Sequence, residues 1–548
     1  MKNAFFFLLV TPFLFVKTVV AQLPGYEKLF TAPGYETVHS LIRTLDGGLV
    51  HLGATTSFGS GLKDIYAMKM DAAENVQWIR SYGGPMEEFG SQIQQYPDSG
   101  YLITGYTKSF GSGGMDGFLL RTDKFGNPLW QRTIGGAQDD VLSRSLILDD
   151  LTVVSVGFTR SKGAGDADFL IVKFNSAGDT LWTKILGGPA FDGLVTVNIA
   201  DGGLIFSGRS ASFNGIYFDG VLFKTDSSGN TIWQKFFGGT GWDEAMYVKQ
   251  TFDKGFITTG SSNSFLGGGS NDVFTVKTDS AGNILWARMY GGHNTDASYE
   301  LIENPDSGYT IVGYTESFNS FTPDRVAGNA PAVGGDSANF FIIRIDMNGD
   351  TIWSRAVGGN LFDEGYTLVP WDSGGCITSG FSYSFSGSDT TDLYYFHLDR
   401  NGETGCHNRF VSPVVTAPPI FDSTFSLAET AGLFVSTSNV GLSFYAFSFE
   451  DPCAGVGMEQ NDMEMESIKV FPNPFANSFQ LQFPENWSNK NLFSELKISN
   501  ALGKIILYKK IVLNQNTEII FESKEPGICF LEIRTGENTI RKKLMLIR

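Results

Sequence analysis

Apolar and polar residues alternate in short runs along most of this chain, with turn formers between the runs. Between Asp243 and Gly292 the runs are Asp243 to Val248, Gly255 to Gly260, Val273 to Asp279, and one around Trp286. A period of two over 4–8 residues predicts a half-buried strand. Four such strands, A to D in chain order, make one unit. Gly282-Asn283 joins C to D as a tight hairpin that needs a positive φ. Gly291-Gly292 lets the chain leave strand D and cross to the next unit. The unit recurs. Trp78, Trp130, Trp182, Trp233, Trp286 and Trp353 mark strand D at spacings of 52, 52, 51, 53 and 67 residues, and Cys406 holds the same slot 53 residues further on.

Seven four-stranded units with a period near 50 predict an all-β fold, a seven-bladed β-propeller. A twisted sheet buries both its faces only against neighbouring sheets, so the repeated Trp, Phe and Val are expected between blades. The ring also needs its ends joined, or two sheet edges stay open. Tyr26 to Phe30, followed by Pro33-Gly34-Tyr35-Glu36, matches Trp78 to Tyr82, followed by Pro85-Met86-Glu87-Glu88. Residues 26–30 therefore read as a spare D strand. They are expected to complete blade 7, whose own D segment has lost Trp and Gly-Gly.

Five regions follow. Residues 1–21 read as a secretory signal peptide: Met1-Lys2-Asn3, an apolar run from Ala4 to Val16, then Val19-Val20-Ala21 with cleavage after Ala21. No Cys stands at that point, so a lipid anchor is not expected. Residues 22–410 form the propeller. Residues 411–454, rich in Ser, Thr and Val, form a strand-rich appendage to it. Residues 455–467 are an acidic linker, and 468–548 a small β-sandwich. No other apolar run reaches the ~18 residues of a membrane span. Four Cys allow three full pairings. Cys376 and Cys529 occupy core slots, which leaves Cys406 and Cys453 as a disulfide tying the appendage to the last blade.

The C-terminal region carries Val470-Phe471-Pro472-Asn473-Pro474, then Ile498 to Lys504 with Gly503, then Pro526-Gly527-Ile528-Cys529, and finally Lys542-Lys543-Leu544. In these motifs it resembles the type A C-terminal sorting domain of bacterial type IX (Por) secretion. Cys529 departs from that family's usual Tyr. The resemblance implies recognition by the type IX machinery, passage across the outer membrane, removal of the domain, and release or attachment at the cell surface. The first 450 residues resemble the seven-bladed repeat proteins found beside such domains. The Asp226 to Trp233 element resembles the tryptophan-docking repeat of quinone-dependent dehydrogenases and, more loosely, the Asp-box of sialidases. In both families that element is structural.

Charge separates the two modules. The chain carries −18 overall; residues 462–548 carry +2 and the rest −20. An acidic propeller disfavours nucleic acid and anionic lipid.

Strands alternate direction, so the B–C loops and D–A crossings share one face. Fourteen residues before each Trp slot stand Asp64, Asp116, Asp168, Asp219, Asp272, Asn339 and Asp392. Ten residues after each Trp stand Glu88, Asp140, Asp192, Asp243, Asp296 and Asp363, with Glu36 equivalent in blade 1. Repeated carboxylates of this kind either accept loop N–H groups or bind a hard cation such as Ca²⁺. No Asp-x-Asp-x-Asp-Gly loop is present, and the pattern assigns no metal ligand. The extra length of blade 6, Asn319 to Asn339 with Arg325, falls on the same face.

No His-Glu-x-x-His, Gly-x-Ser-x-Gly or Walker motif appears. The sequence pattern shows no convergent catalytic set at non-repeated positions. The reading is a secreted or cell-surface binding or structural module for an extracellular protein or glycan, without catalysis or resident cofactor. The alternative is a secreted hydrolase, lyase or quinone enzyme with its site in the central pocket.

Overall fold

The computed structural model describes residues 27–213, 217–265, 270–318, 337–371, 374–385, 390–405, 407–416 and 418. Beyond these it describes short strands up to 450 and seven strands between 469 and 546. The signal peptide, Arg325 with its loop, Cys406, Cys453, the linker, Pro472, Asn473, Pro474 and Gly503 lie outside the described residues. So do the side chains of Gly527, Lys542 and Lys543, whose backbones are strand. Every regular element described is a β-strand, and contacts divide the chain into two units, residues 1–454 and 455–548.

Unit one is a seven-bladed propeller. Strands A to D of blade 1 are Glu36–Arg43, Leu49–Thr55, Asp64–Met70 and Val76–Gly83. The same order repeats through blade 6, which ends at Thr351–Val357. Blade 7 takes A, B and C from Asp363–Trp371, Gly375–Ser382 and Asp392–Leu398. Its D strand is Glu27–Thr31 from the other end of the chain, with Glu27 opposite Phe396 and Phe30 opposite Leu393. The ring therefore closes as the duplicated pattern predicts.

The described core falls into seven apolar clusters, one at each junction between adjacent blades. The cluster of Phe237, Val248, Phe256, Phe274 and Met289, for example, joins blades 4 and 5. Such a core explains why the apolar positions repeat: each blade supplies half of two clusters. The marker tryptophans are half-buried at the edges of these clusters rather than inside them.

The region read as an appendage is a belt. Its strands are Asn408–Phe410, Val414–Thr416, Phe421–Ser423, Ala428–Thr430, Phe434–Ser436, Gly441–Phe444 and Ser448–Glu450. They add antiparallel to the D strands of blades 6, 5, 4, 3, 2, 1 and 7 in turn. Each blade thus becomes a five-stranded sheet. The belt covers the outer edges that would otherwise invite pairing with another chain.

Unit two holds seven described strands. They form a three-stranded sheet (Lys469–Phe471, Ser478–Gln482, Asn516–Ile520) and a four-stranded one (Phe493–Asn500, Ile505–Val512, Gly527–Thr535, Asn538–Leu546). Leu496, Ile498 and Ile519 are buried, from both sheets.

Candidate functional site

The repeated acids stitch one blade to the next. The backbone N–H of Glu88 donates to Lys63 O, that of Asp140 to Met115 O and that of Asp243 to Phe218 O, each at 2.7 Å. The same bond occurs at all seven junctions, so B–C loops and D–A crossings do share a face. The side chains lie under that face. Asp64, Asp116, Asp168, Asp219, Asp272 and Asp392 are each at most 5% exposed, and Glu36, Glu88 and Asp363 at most 1%.

In several blades one oxygen serves the acid's own loop, while the other, as at Asp64 Oδ1 and Asp168 Oδ1, is buried without a hydrogen-bond partner. Asp64 Oδ2 accepts from Ser60 N at 2.9 Å and Gly61 N at 3.2 Å, and Asp116 and Asp168 do the same one and two blades on. The acids of the crossings accept from the second glycine of Gly-Gly, as Asp140 does from Gly136 N at 2.7 Å, and from nearby hydroxyls. The first glycine is needed for space: a Cβ at Gly291 would strike the carboxyls of both Asp272 and Asp296. Burial pushes Asp64 and Asp363 up to about 6 and raises Asp116, Asp168, Asp192 and Asp243. Asp272 and Asp296, facing each other, are both held above the usual carboxylate range by burial, with their mutual repulsion adding to the rise at Asp272. A partner approaching this face meets loops, not these carboxylates. Among the described residues no three His, Cys, Asp or Glu come together as a metal cage. Two carboxyls per junction fall short of the 6–8 oxygens Ca²⁺ takes.

The chemistry that does converge sits on the A strands, which line the axis. Each A strand has a β-bulge after its third residue. The bulge re-aims the fourth and fifth side chains. At the fifth position stand Ser40, Gln92, Arg144, Thr196, Tyr247, Glu300 and Thr367, six residue types in seven blades. Arg144 of blade 3 reaches across the axis to Glu300 of blade 6 at 3.1 Å. Glu300 also accepts from Leu368 N, and the Arg144 guanidinium lies 5.3 Å from the Tyr247 ring. Non-repeated side chains therefore meet at the axis. Reading the chain in repeat register hides it, because the positions that matter are those where the repeat fails. Aligning the seven A strands alone would have shown it.

Above this ion pair, toward the B–C and D–A face, half-buried rings form two arcs. The first runs over blades 2, 1, 7 and 6. Phe89 stacks on Tyr106 and lies 4.1 Å from His39; His39 meets Tyr366 edge-on, and Tyr366 stacks on Tyr299 at 4.6 Å. Within it Glu364 is only 6% exposed and accepts from Tyr299 OH. Burial pushes Glu364 up to about 7 against the pull of the two tyrosine hydroxyls. Burial, with Lys63 nearby, pulls His39 down to about 3, and its Nδ1 lies 3.0 Å from Gly90 O. The second arc runs over blades 3 to 5. Phe158, Phe191, Phe218 and Trp242 follow one another at centroid distances of 5.2, 5.5 and 4.7 Å. Arg209 lies over Phe191 and Phe218 and is paired with Glu244. Phe318 and Ser337, the described ends of the long blade 6 loop, belong to the same face.

Residues 469–547 match the family model of the secretion system C-terminal sorting domain. The chain thus carries a type IX sorting domain and is exported to the cell surface or beyond. A stretch of 144 residues is 30% identical to the regulatory protein FlaEY of Caulobacter vibrioides; it spans 25% of this chain and 15% of that relative. Two solved extracellular domains from B. thetaiotaomicron align with it over most of its length. One is from a one component system (7% identity, TM-score 0.23, covering 95% of this chain and 99% of that one). The other is from a hybrid two component system (10% identity, TM-score 0.23, covering 95% and 100%). Likeness at that level says nothing of ligand or role.

Proposed function

We propose that this protein is an exported binding module whose ligand docks at the axial mouth on the B–C and D–A face. The observation that carries the reading is the pair of aromatic arcs. Half-buried rings held in place by stacking and ion pairs give a preformed, mainly apolar surface with a few fixed polar groups, features that ligand sites share. The Arg144–Glu300 pair bridges the axis below it. The sorting domain supplies the route through the type IX machinery. The ligand class follows from the compartment: an extracellular glycan or protein.

The test uses the full chain, immobilised and probed with extracellular polysaccharides and surface proteins. Binding should fall in Trp242→Ala and persist in Phe125→Ala, which alters an exposed residue on the opposite face. The reverse pattern would move the site to that face.

One observation favours a second reading. Glu364 is a buried carboxyl hydrogen-bonded by Tyr299 and pushed up to about 7 by burial, the range an acid–base catalyst uses. Turnover of a bound glycan that disappears in Glu364→Gln, with binding retained, would establish an enzyme. No turnover in the wild type removes that reading.

A further inference from the structure

Resting on the binding reading above, we infer that the arc of Phe158, Phe191, Phe218 and Trp242 is a subsite for an uncharged carbohydrate. Trp242 is 39% exposed and Tyr217, beside Phe218 in the chain, is 52% exposed. Large aromatic rings left open to water cost free energy unless something covers them. The rings are also fixed. Trp242 Nε1 donates to Glu244 Oε1 at 2.6 Å, its backbone N–H donates to Asn263 Oδ1 at 2.7 Å, and its ring leans on Phe218. Little entropy remains to be lost when a flat ligand settles on them.

Charge decides the class. Both arginines described beside the arc have acids next to them. Arg209 pairs with Glu244, and Arg160 lies 3.8 Å from Asp139 and 3.5 Å from Asp166. The propeller as a whole is strongly acidic. An anionic sugar, a nucleotide or an acidic peptide would find both of these arginines already compensated. An extended peptide would look for an open strand edge, but the belt occupies the outer edge of every blade. The C–H face of a pyranose, by contrast, fits an aromatic face. Its hydroxyl edge needs donors and acceptors side by side in fixed geometry, and the Arg209–Glu244 pair offers both.

Isothermal titration of the full chain tests this. The probes are uncharged oligosaccharides from β-glucan, xylan and mannan, with oligogalacturonate and a Tyr-rich peptide as competing classes. At least one uncharged oligosaccharide should bind, with affinity nearly independent of salt between about 50 and 500 mM. Trp242→Ala should weaken it about 10-fold or more, and Trp242→Phe by less than about 3-fold. Tyr217→Ala should weaken it as well. Both residues are exposed, and an unchanged melting temperature confirms that each variant folds. Failure of every uncharged probe overturns the inference. Uncharged sugar binding that survives Trp242→Ala and Tyr217→Ala overturns the subsite. Oligogalacturonate or peptide alone, lost in Trp242→Ala, overturns the carbohydrate class assigned here while leaving the mouth as the binding site.

Discussion

Six of the seven blade junctions are built one way and the seventh another. At a regular junction a tryptophan on strand D covers the hairpin glycine of the next blade. Trp233 lies over Gly282, and Trp286 over Gly349, with Trp286 Nε1 donating to Met347 O at 3.1 Å. Gly282 has a φ of 81° and the indole where its Cβ would be, so only glycine satisfies both demands. Where the two ends of the ring meet, the hairpin residue is Glu74, in the same left-handed conformation at φ 60°. It faces polar groups instead of an indole: His397 Nε2 at 2.8 Å, Tyr395 OH at 2.7 Å and Lys28 Nζ at 3.4 Å. His397 stands where other blades have Lys69, Arg121, Lys277 or Arg344. On the other face of the same strand, toward blade 6, Glu27 adds Tyr394 OH and His407 Nδ1, each at 2.7 Å. The D–A crossing is continuous at both kinds of junction; what the closing one lacks is the hairpin joining strands C and D of blade 7, so pairing with Asp392–Leu398 and directional polar bonds hold Glu27–Thr31 in register instead.

The largest effect should come from removing residues 26–31. Blade 7 then loses its outer strand, including Leu29 and Phe30, which are 1% and 0% exposed. Each such core side chain is worth about 2–5 kcal/mol, and the last belt strand loses its partner. Calorimetry should show a broad transition at much lower temperature. A sharp, unshifted transition would mean that the strand does not close the ring.

Next comes the belt. Cys406 and Cys453 are outside the described residues, but their neighbours converge on one strand: His407 bonds Glu27, and Glu450 pairs with Leu29. A Cys406–Cys453 disulfide would make the belt a closed hoop around all seven blades. Closing such a loop is worth roughly 4 kcal/mol less any strain. Reduction should lower the melting temperature accordingly, and a free thiol at Cys406 in the exported protein would defeat the pairing.

The two junction types should also differ under point substitution. Glu74→Ala removes the shared partner of His397, Tyr395 and Lys28 and should cost about 2–3 kcal/mol. Trp286→Ala, at a half-buried site with one hydrogen bond, should cost about 2 kcal/mol. Salt separates them: the Glu74 effect should shrink at high ionic strength and the Trp286 effect should not. Equal salt responses would erase the distinction between the junctions.

The blades, their order and the strand that closes the ring were legible because each rests on a repeated local pattern. The belt was not. Its strands are three or four residues long, too short for a period of two to show, and their partners are up to several hundred residues away. The shared face of the acids was legible, since strand alternation fixes it. Their burial was not, because a carboxyl that serves its own loop and one that serves a ligand look alike in sequence. The axial set around Arg144 and Glu300 escaped for a different reason: no local signal says that two residues 156 apart face each other across a ring.

The smallest effect concerns protons at the regular junctions. The folded state holds protons on Asp272 and Asp296 at pH values where the unfolded chain has lost them, because both are raised above the usual range. A carboxyl raised on folding stabilises below its unfolded value near 4, and that stabilisation is lost as pH rises through the folded value, here from about 4 to about 8. The whole-protein profile mixes signs, since His39 and His51 are lowered to about 3 by burial and favour folding as pH rises. The difference between wild type and Asp272→Asn cancels those terms. Asparagine already fills this slot at the next junction, where Asn339 stands with Asp363 across Gly358. Asp272→Asn should therefore be close to neutral at pH 4 and should gain on the wild type as pH rises to 8, by on the order of 1 kcal/mol. Denaturant melts at the two pH values measure it. A variant that loses ground with rising pH would show that Asp272 is ionised and stabilising, and that this junction, like the closing one, is held by charge.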